Sequence, residues 1–319
     1  MPVHRSGLVS ILGRPNAGKS TLLNALVGHK VSIVTPRPQT TRNRILAIYD
    51  TEDYQILFQD TPGLLAPRDA MNRFMVDEVH RALESTDVVL LMVDAKKGVG
   101  PRERHLCELL RSHSAEWGMR NAESGSGPHQ PARPTTFVLL NKMDLIHPSS
   151  VEQCVRNAQS LRFSAPGRVI TLSALYGSGV TDVLQAVKES LPEGPKYYDP
   201  NILTDRTERF MVEEQIREQA LLRVHDEVPH ALAVQVEEML DAPERKKISI
   251  TASIIVDRDS QRAILIGKGG AMIKAIGQEA RKQIEDFLGR PVFLSLRVKV
   301  IKGWRRGERT LRQLGYHRR

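Results

Sequence analysis

Apolar positions along this 319-residue chain fall into short runs: GLVSIL at 7–12, YQILF at 54–58, DVVLLMV at 87–93, TFVLL at 136–140 and VITL at 169–172. Runs of this length bounded by turn residues are the pattern of strands buried on both faces. After the first run, STLLNALVG places Leu22, Leu23 and Leu26 at helical spacing, with Gly28 as a stop. Helix-like stretches separate several of the other runs. That alternation predicts an α/β fold, a mainly parallel sheet with helices on both faces. Residues 113–135, HSAEWGMRNAESGSGPHQPARPT, break the pattern with Gly, Ser and Pro. They predict a long flexible surface loop, an insertion rather than a functional lid.

LPEGPKYYDP at 191–200 cannot continue a helix. It predicts a first domain over 1–191, a linker over 192–200 and a second domain over 201–319. In the second domain Asp205 and Glu208 stand at capping-box spacing before a charged helix running to about Val224. Strand-like segments follow at 231–239 and 248–256, then RAILIG, a GKGG loop, a helical stretch over 271–288 and a last strand, PVFLSLRVKV. This is a smaller α+β unit.

Composition narrows the picture. Apolar residues make up 40% and charged residues 26%, ordinary values for a soluble globular protein. No run approaches the ~18 apolar residues of a membrane span, and MPVHRSG lacks the features of a secretory leader. The expected location is the cytosol. Cys107 and Cys154 lie far apart without metal-ligand spacing and are expected to be free thiols. The net charge of +9 is uneven: residues 262–319 hold fifteen Lys or Arg against Glu279, Glu285, Asp286 and Glu308, leaving about −2 for the rest. A basic excess in one segment points to a polyanion partner there.

Residues 13–20, GRPNAGKS, fill the GxxxxGKS pattern with a strand before and a helix after. The site comprises Gly13, Arg14, Pro15, Asn16, Ala17, Gly18, Lys19, Ser20 and Thr21. Backbone amides converge on phosphate, Lys19 reaches the terminal phosphates, and the Ser20 hydroxyl ligates Mg2+ at the positive end of a helix. Asp60, Thr61, Pro62 and Gly63 (DTPG) follow the YQILF strand, so Asp60 can hold magnesium and the Gly63 amide can sense a third phosphate. Asn141, Lys142 and Asp144, in NKMD, suit a base pocket. A carboxylate accepts from guanine N1–H and its exocyclic amine, a donor pair that adenine lacks. Ser173 and Ala174 supply a further base-contacting element. The expected ligands are GTP and GDP.

GKGG at 267–270 has no Ser or Thr after its lysine and so no magnesium ligand. GxxG between two helices is the device by which KH domains bring backbone close to single-stranded nucleic acid. Gly267, Lys268, Gly269, Gly270 and Lys274 are the candidate backbone contacts, with Ile266 and Ile273 lining an apolar groove for bases.

Together GRPNAGKST, QTTRNR, DTPGL, NKMD and LSA resemble the translation-factor-related GTPases, and their order is similar to that of the Era family. TDRTERFMVEEQIRE, IGKGGAMIKAIGQEAR and VKVIKGWRRGERTLRQLGY extend the resemblance over nearly the whole chain. It implies a P-loop G domain and a type II KH domain. The family's switch threonine is Thr40 or Thr41, with Thr41 preferred as the magnesium ligand beside Ser20 and Asp60. Leu64 occupies the place of the water-orienting glutamine of Ras-like GTPases, implying slow turnover on the order of 10⁻⁴ to 10⁻² s⁻¹. No side chain is assigned as a catalytic base; Lys19, Thr41 and Asn16 are expected as transition-state or cation support. Asn16 either helps hold a K+ ion beside the phosphates or only shapes the loop. The resemblance further implies binding near the 3′ end of 16S-type ribosomal RNA, a role in rRNA processing and 30S subunit biogenesis, GTP hydrolysis as the switch on RNA binding, and a monomer. The alternative reading is a peripheral membrane or cell-cycle switch using its basic region on anionic lipid. A tRNA-modifying GTPase would need a second catalytic site, and the second half has no cysteine. The basic tail HRR, 317–319, bears on RNA or lipid affinity.

Overall fold

The computed structural model describes residues 4–64, 69–124, 134–162, 169–242 and 247–316. The chain forms two compact units. The first comprises Met1–Ser32, Thr41–Ala66 and Met75–Asp205; the second comprises Ile33–Thr40, Pro67–Phe74 and Arg206–Arg319.

In the first unit, β1 (Arg5–Gly13), β3 (Tyr54–Asp60), β4 (Val88–Asp94), β5 (Thr135–Asn141) and β6 (Val169–Thr171) run parallel, and β2 (Ile45–Asp50) lies antiparallel at one edge. The spatial order is β2-β3-β1-β4-β5-β6. Interleaved are α1 (Lys19–Val27), α2 (Ala70–Glu84), α3 (Pro101–Ser124), α4 (Val151–Gln159) and α5 (Val180–Ser190). Every residue of β4 is buried, which is why DVVLLMV shows no alternation. The register sets Ile11 beside Asp60, Gly13 beside Met92 and Asp94 beside Asn141. The carboxyl ends of four strands therefore present Gly13, Asp60, Asp94 and Asn141 along one edge, where ligands of open α/β sheets bind.

The stretch 192–205 lies along this same unit. Ser6 N–H donates to the Pro192 carbonyl (3.1 Å), and Tyr197 and Tyr198 N–H donate to Gln55 Oε1 (2.7 and 2.9 Å). Ile48 N–H donates to the Leu203 carbonyl (2.9 Å) and Thr204 Oγ1 to the Leu46 carbonyl (2.6 Å), so the outer side of β2 is covered. Tyr198 packs on Leu46, Ile48 and Leu57 beneath it.

The second unit contains α6 (Glu208–Arg223), β7 (Ala233–Ala242), β8 (Lys247–Val256), α7 (Asp259–Ile266), α8 (Ala271–Leu288), β9 (Val292–Val300) and α9 (Glu308–Gln313). Its sheet, β7-β8-β9, pairs β7 with β8 antiparallel and β8 with β9 parallel. Ile276, Ala280 and Ile284, one stripe of α8, pack with Ile216 and Ala220 of α6 and with Ile250, Ala252 and Ile254 of β8. Trp304 is fully buried, donates Nε1–H to the Ala231 carbonyl (2.9 Å) and stacks near Tyr316. KGW and LGY thus close the core of this unit.

Two expectations are corrected. The 113–135 stretch reads as loop in the sequence, but α3 continues through Ser124, because HSAEWGMRNAES is rich in helix formers and Gly118 alone does not outweigh them. Residues 125–133 lie outside the described residues, as does the tail 317–319. The cap of α6 is Thr207, whose side chain accepts from Phe210 N–H (3.3 Å), and not Asp205; Thr207 has the extended backbone that an N-cap requires. Among the described residues no helix is long and apolar enough to cross a membrane. Both cysteines are free, and burial pushes the Cys107 thiol up to about 11.

Candidate nucleotide and nucleic-acid sites

The loop between β1 and α1 wraps back on itself. Gly13, Asn16 and Gly18 all have positive φ (158°, 62° and 103°). At Gly18 the requirement is steric as well: an added Cβ would lie 2.3 Å from Asn141 Nδ2. Lys19 is buried, donating to the carbonyls of Gly13 and Arg14 (both 3.1 Å). Burial lowers its pKa to about 8, against the opposing pull of the Asp60 charge. Arg14 pairs with Glu103 (3.2 Å), a partner that no motif announced.

Ser20, Thr41 and Asp60 converge. Ser20 Oγ donates to Asp60 Oδ2 (2.6 Å) and lies 2.9 Å from Thr41 Oγ1, which is itself 3.3 Å from Asp60 Oδ2. Ser32 Oγ also donates to Oδ2 (2.9 Å). The other carboxylate oxygen, Oδ1, is buried with no hydrogen-bond partner among the described residues. Burial raises the Asp60 pKa, opposed by Lys19 and by the Ser20, Ser32 and Thr41 hydroxyls. Two hydroxyls and a buried carboxylate with an uncommitted oxygen make a hard donor set, which fits a small divalent cation. Thr40 does not join them. Its hydroxyl lies 2.6 Å from Thr35 Oγ1 and donates to the Arg37 carbonyl (2.8 Å).

Beyond the DTPG strand end, Thr61 donates to the Ile11 carbonyl (2.7 Å), anchoring Pro62 and Gly63 beside β1. Gly63 comes so close to Pro15 that an added Cβ would lie 2.6 Å from its nitrogen. Leu64 is half-buried against the apolar cluster containing Leu12 and Val93.

Asn141 joins loops rather than facing outward. Its Nδ2 donates to the Ala17 carbonyl (2.8 Å) and its Oδ1 accepts from Ala174 N–H (2.9 Å). Lys142, at φ 67°, turns its ammonium to Asp94 Oδ2 and to the Asn16 carbonyl (both 2.8 Å). Asp144 is exposed, with Oδ1 accepting from Ser173 Oγ (2.5 Å). Both carboxylate oxygens thus keep acceptor capacity toward solvent. Asp94 and Ser32 escape sequence reasoning. Asp94 has a signal in its position at the end of an apolar strand; Ser32, in a loop, has none.

In the second unit the GKGG turn joins α7 to α8. Gly267, Gly269 and Gly270 take φ of 71°, 59° and 79°, conformations that disfavour a side chain, and Lys268 is exposed between them. The turn delivers the first amides of α8 to the surface next to exposed Lys274. Ile266, Ile273, Leu294 and Leu296, on α7, α8 and β9, are only half-buried. Backbone donors and a lysine thus lie beside incompletely covered apolar side chains.

Comparison with known proteins bears on both sites. Residues 8–119 match the family described as 50S ribosome-binding GTPase, and residues 227–305 match the KH domain. The chain is 39% identical to GTPase Era of Caldanaerobacter subterraneus subsp. tengcongensis, over 98% of each protein. Among solved structures, it is 34% identical to Era in complex with MgGDPNP and nucleotides 1506–1542 of 16S ribosomal RNA, covering 99% of this chain and all of that one with a TM-score of 0.87. It is also 34% identical to a single-substitution variant of Aquifex aeolicus Era bound to GDP.AlF4-, covering 98% of this chain and all of that one with a TM-score of 0.88. With the phosphate loop at the carboxyl edge of the parallel sheet and a GxxG turn in a three-stranded α+β unit, the chain belongs to the Era family of GTPases.

Proposed function

We propose that this chain is a GTP-driven switch that binds unpaired RNA near the 3′ end of 16S-type ribosomal RNA and acts in rRNA processing and 30S subunit biogenesis. The observation that carries the reading is the GKGG turn. It holds an exposed lysine among three positive-φ glycines within a segment matching the KH domain, and a relative 34% identical was captured with that RNA region. Hydrolysis at the first unit would release the RNA. A working place in the cytoplasm and a monomeric state follow from the same reading.

In this reading Ser20, Thr41 and Asp60 hold Mg2+, the geometry of their oxygens being suited to it. Bound there, the ion neutralises phosphate charge and orders the threonine segment. Lys19 leaves the Gly13 and Arg14 carbonyls for the phosphates. The Gly63 amide reports the third phosphate. Asp144 reads guanine, with Asn141, Lys142, Ser173 and Ala174 holding the pocket walls. Leu64 cannot orient water, so hydrolysis relies on charge stabilisation around the phosphates. Asn16 supplies part of this through K+. Replacing sodium by potassium should raise the hydrolysis rate; equal rates in the two salts exclude that role.

The RNA assignment is tested with Lys268→Asp combined with Gly269→Asp. Aspartate is among the few residues that tolerate the left-handed backbone at 269, so the turn should persist with its charge reversed. Binding to a single-stranded oligonucleotide of the rRNA 3′ terminus should be abolished with GTP affinity intact. Parental binding weakens by roughly 0.7 log units per log unit of salt for each phosphate contacted. Retained RNA affinity in the double variant at physiological salt contradicts the assignment.

A further inference from the structure

The second unit contains a stretch that lies far upstream in the chain, residues 33–40, immediately before Thr41. It is seated on α6. One side of that helix carries Val212, Ile216 and Ala220 into the core, as a packing helix should. Yet Gln215, Arg217, Glu218 and Gln219 are buried too, with Arg217 only 1% exposed. Burying a guanidinium is costly unless it is paired and hydrogen-bonded, and a buried ion pair returns little net stability against apolar residues of the same size. Packing alone therefore does not account for an arginine at this position.

Its partners do. Arg217 Nε donates to Glu214 Oε1 (2.7 Å), and Nη2 donates both to Glu214 Oε2 (2.6 Å) and to the backbone carbonyl of Thr40 (2.5 Å). The next residue, Glu218, accepts at Oε1 from Val34 N–H at the other end of the segment (3.0 Å). Arg37, midway, donates to the Val224 carbonyl (2.8 Å) just beyond α6. The segment is gripped at its start, middle and end. Thr40 has its hydroxyl turned inward to Thr35 and Arg37, and the next residue, Thr41, directs its hydroxyl to Ser20 and Asp60. The peptide between residues 40 and 41 is thus fixed on one side by the Arg217 guanidinium. A peptide plane has little freedom once its carbonyl is held.

We propose that Arg217 is a positioning residue for GTP hydrolysis: by holding the Thr40 carbonyl it orients the 40–41 peptide and so presents the Thr41 hydroxyl to the cation. The inference rests on the reading of Thr41 as a Mg2+ ligand. Glu214 and Glu218 support it, the first by aiming the guanidinium and the second by securing the segment's other end.

The test uses the full chain with Arg217→Gln, Arg217→Lys, Arg37→Ala and, in parallel, Thr41→Ala. Three quantities are measured: the Mg2+ concentration needed for half-maximal binding of a fluorescent GTP analogue, GDP affinity in EDTA, and the hydrolysis rate at saturating GTP. Arg217→Gln should raise the Mg2+ requirement and lower the rate, each by about tenfold, while GDP affinity in EDTA stays parental. Lysine, which keeps one donor for the carbonyl, should recover part of both. Arg37→Ala, outside the helix core, should shift both in the same direction by about threefold and decides the matter if the glutamine variant does not fold. Folded Arg217 and Arg37 variants with parental Mg2+ requirement and rate overturn the inference. If Thr41→Ala raises the Mg2+ requirement while those variants do not, the ligand reading stands and the inference alone fails. If Thr41→Ala changes nothing, both fall.

Discussion

Lys19 offers a quantitative check on the nucleotide site. In the structure its ammonium is buried against the Gly13 and Arg14 carbonyls, and desolvation lowers its pKa to about 8. A terminal phosphate beside it favours the charged form, so binding returns the pKa toward the ordinary lysine range of ~10.4 and takes up a proton. From a pKa of about 8, the free lysine is ~75% deprotonated at pH 8.5 and ~10% at pH 7. Binding should therefore take up about 0.75 proton at pH 8.5 and about 0.1 at pH 7, with affinity falling about fourfold between them, or about 0.8 kcal/mol. At pH 8.5 the phosphate itself does not interfere, since its second ionisation lies near pH 6. Calorimetric titration with GDP, repeated in two buffers of different ionisation enthalpy, gives the proton count from the difference in heats. EDTA is included so that no metal displaces a proton from Asp60, whose carboxyl is itself raised by burial. Lys19→Met should remove the uptake at pH 8.5. Uptake below ~0.2 proton at pH 8.5 in the parent would mean the buried lysine is already fully charged, and the desolvation argument would be wrong.

Other consequences of the geometry are open to measurement. Asp144→Asn replaces an acceptor pair by an amide that also donates. Losing two charged hydrogen bonds at ~1.5–3 kcal/mol each should weaken GTP binding by at least ~10²-fold, while xanthosine triphosphate, which has a carbonyl in place of the amine, should improve; fluorescence competition between the two nucleotides reads this directly. Gly18→Ala forces a Cβ onto the Asn141 amide at a φ of 103°, and should lower stability by about 1–3 kcal/mol, seen as an earlier thermal transition, together with weaker binding of both GDP and GTP.

Phosphate and guanine chemistry demands particular residue types at close spacing, which is why GRPNAGKS, DTPG and NKMD are readable from the chain. The helix at 271–288 is readable for a different reason: its apolar stripe at Ile276, Ala280 and Ile284 is regular and glycines bound it. Strand β2 is not, since ILAIYD is a brief run that pairs with β3 across residues 51–53, a connection with no glycine or proline to mark the turn. Asp94 is marked only by its place at the end of an apolar strand, and its partner Lys142 emerges when β4 is laid beside β5. Arg217 is farther from view still. In the sequence it is one more charge on a charged helix, and its partner carbonyl lies 177 residues upstream.

The covering of β2 by residues 198–204 bears on how the protein is best dissected. A sheet margin with vacant amides invites pairing with a neighbouring molecule. A fragment ending at residue 191 would leave the Ile48 amide and the Leu46 carbonyl without their caps and bare the apolar spot beneath Tyr198. Such a piece should self-associate, whereas one ending at residue 205 carries its own selvedge and should remain dispersed.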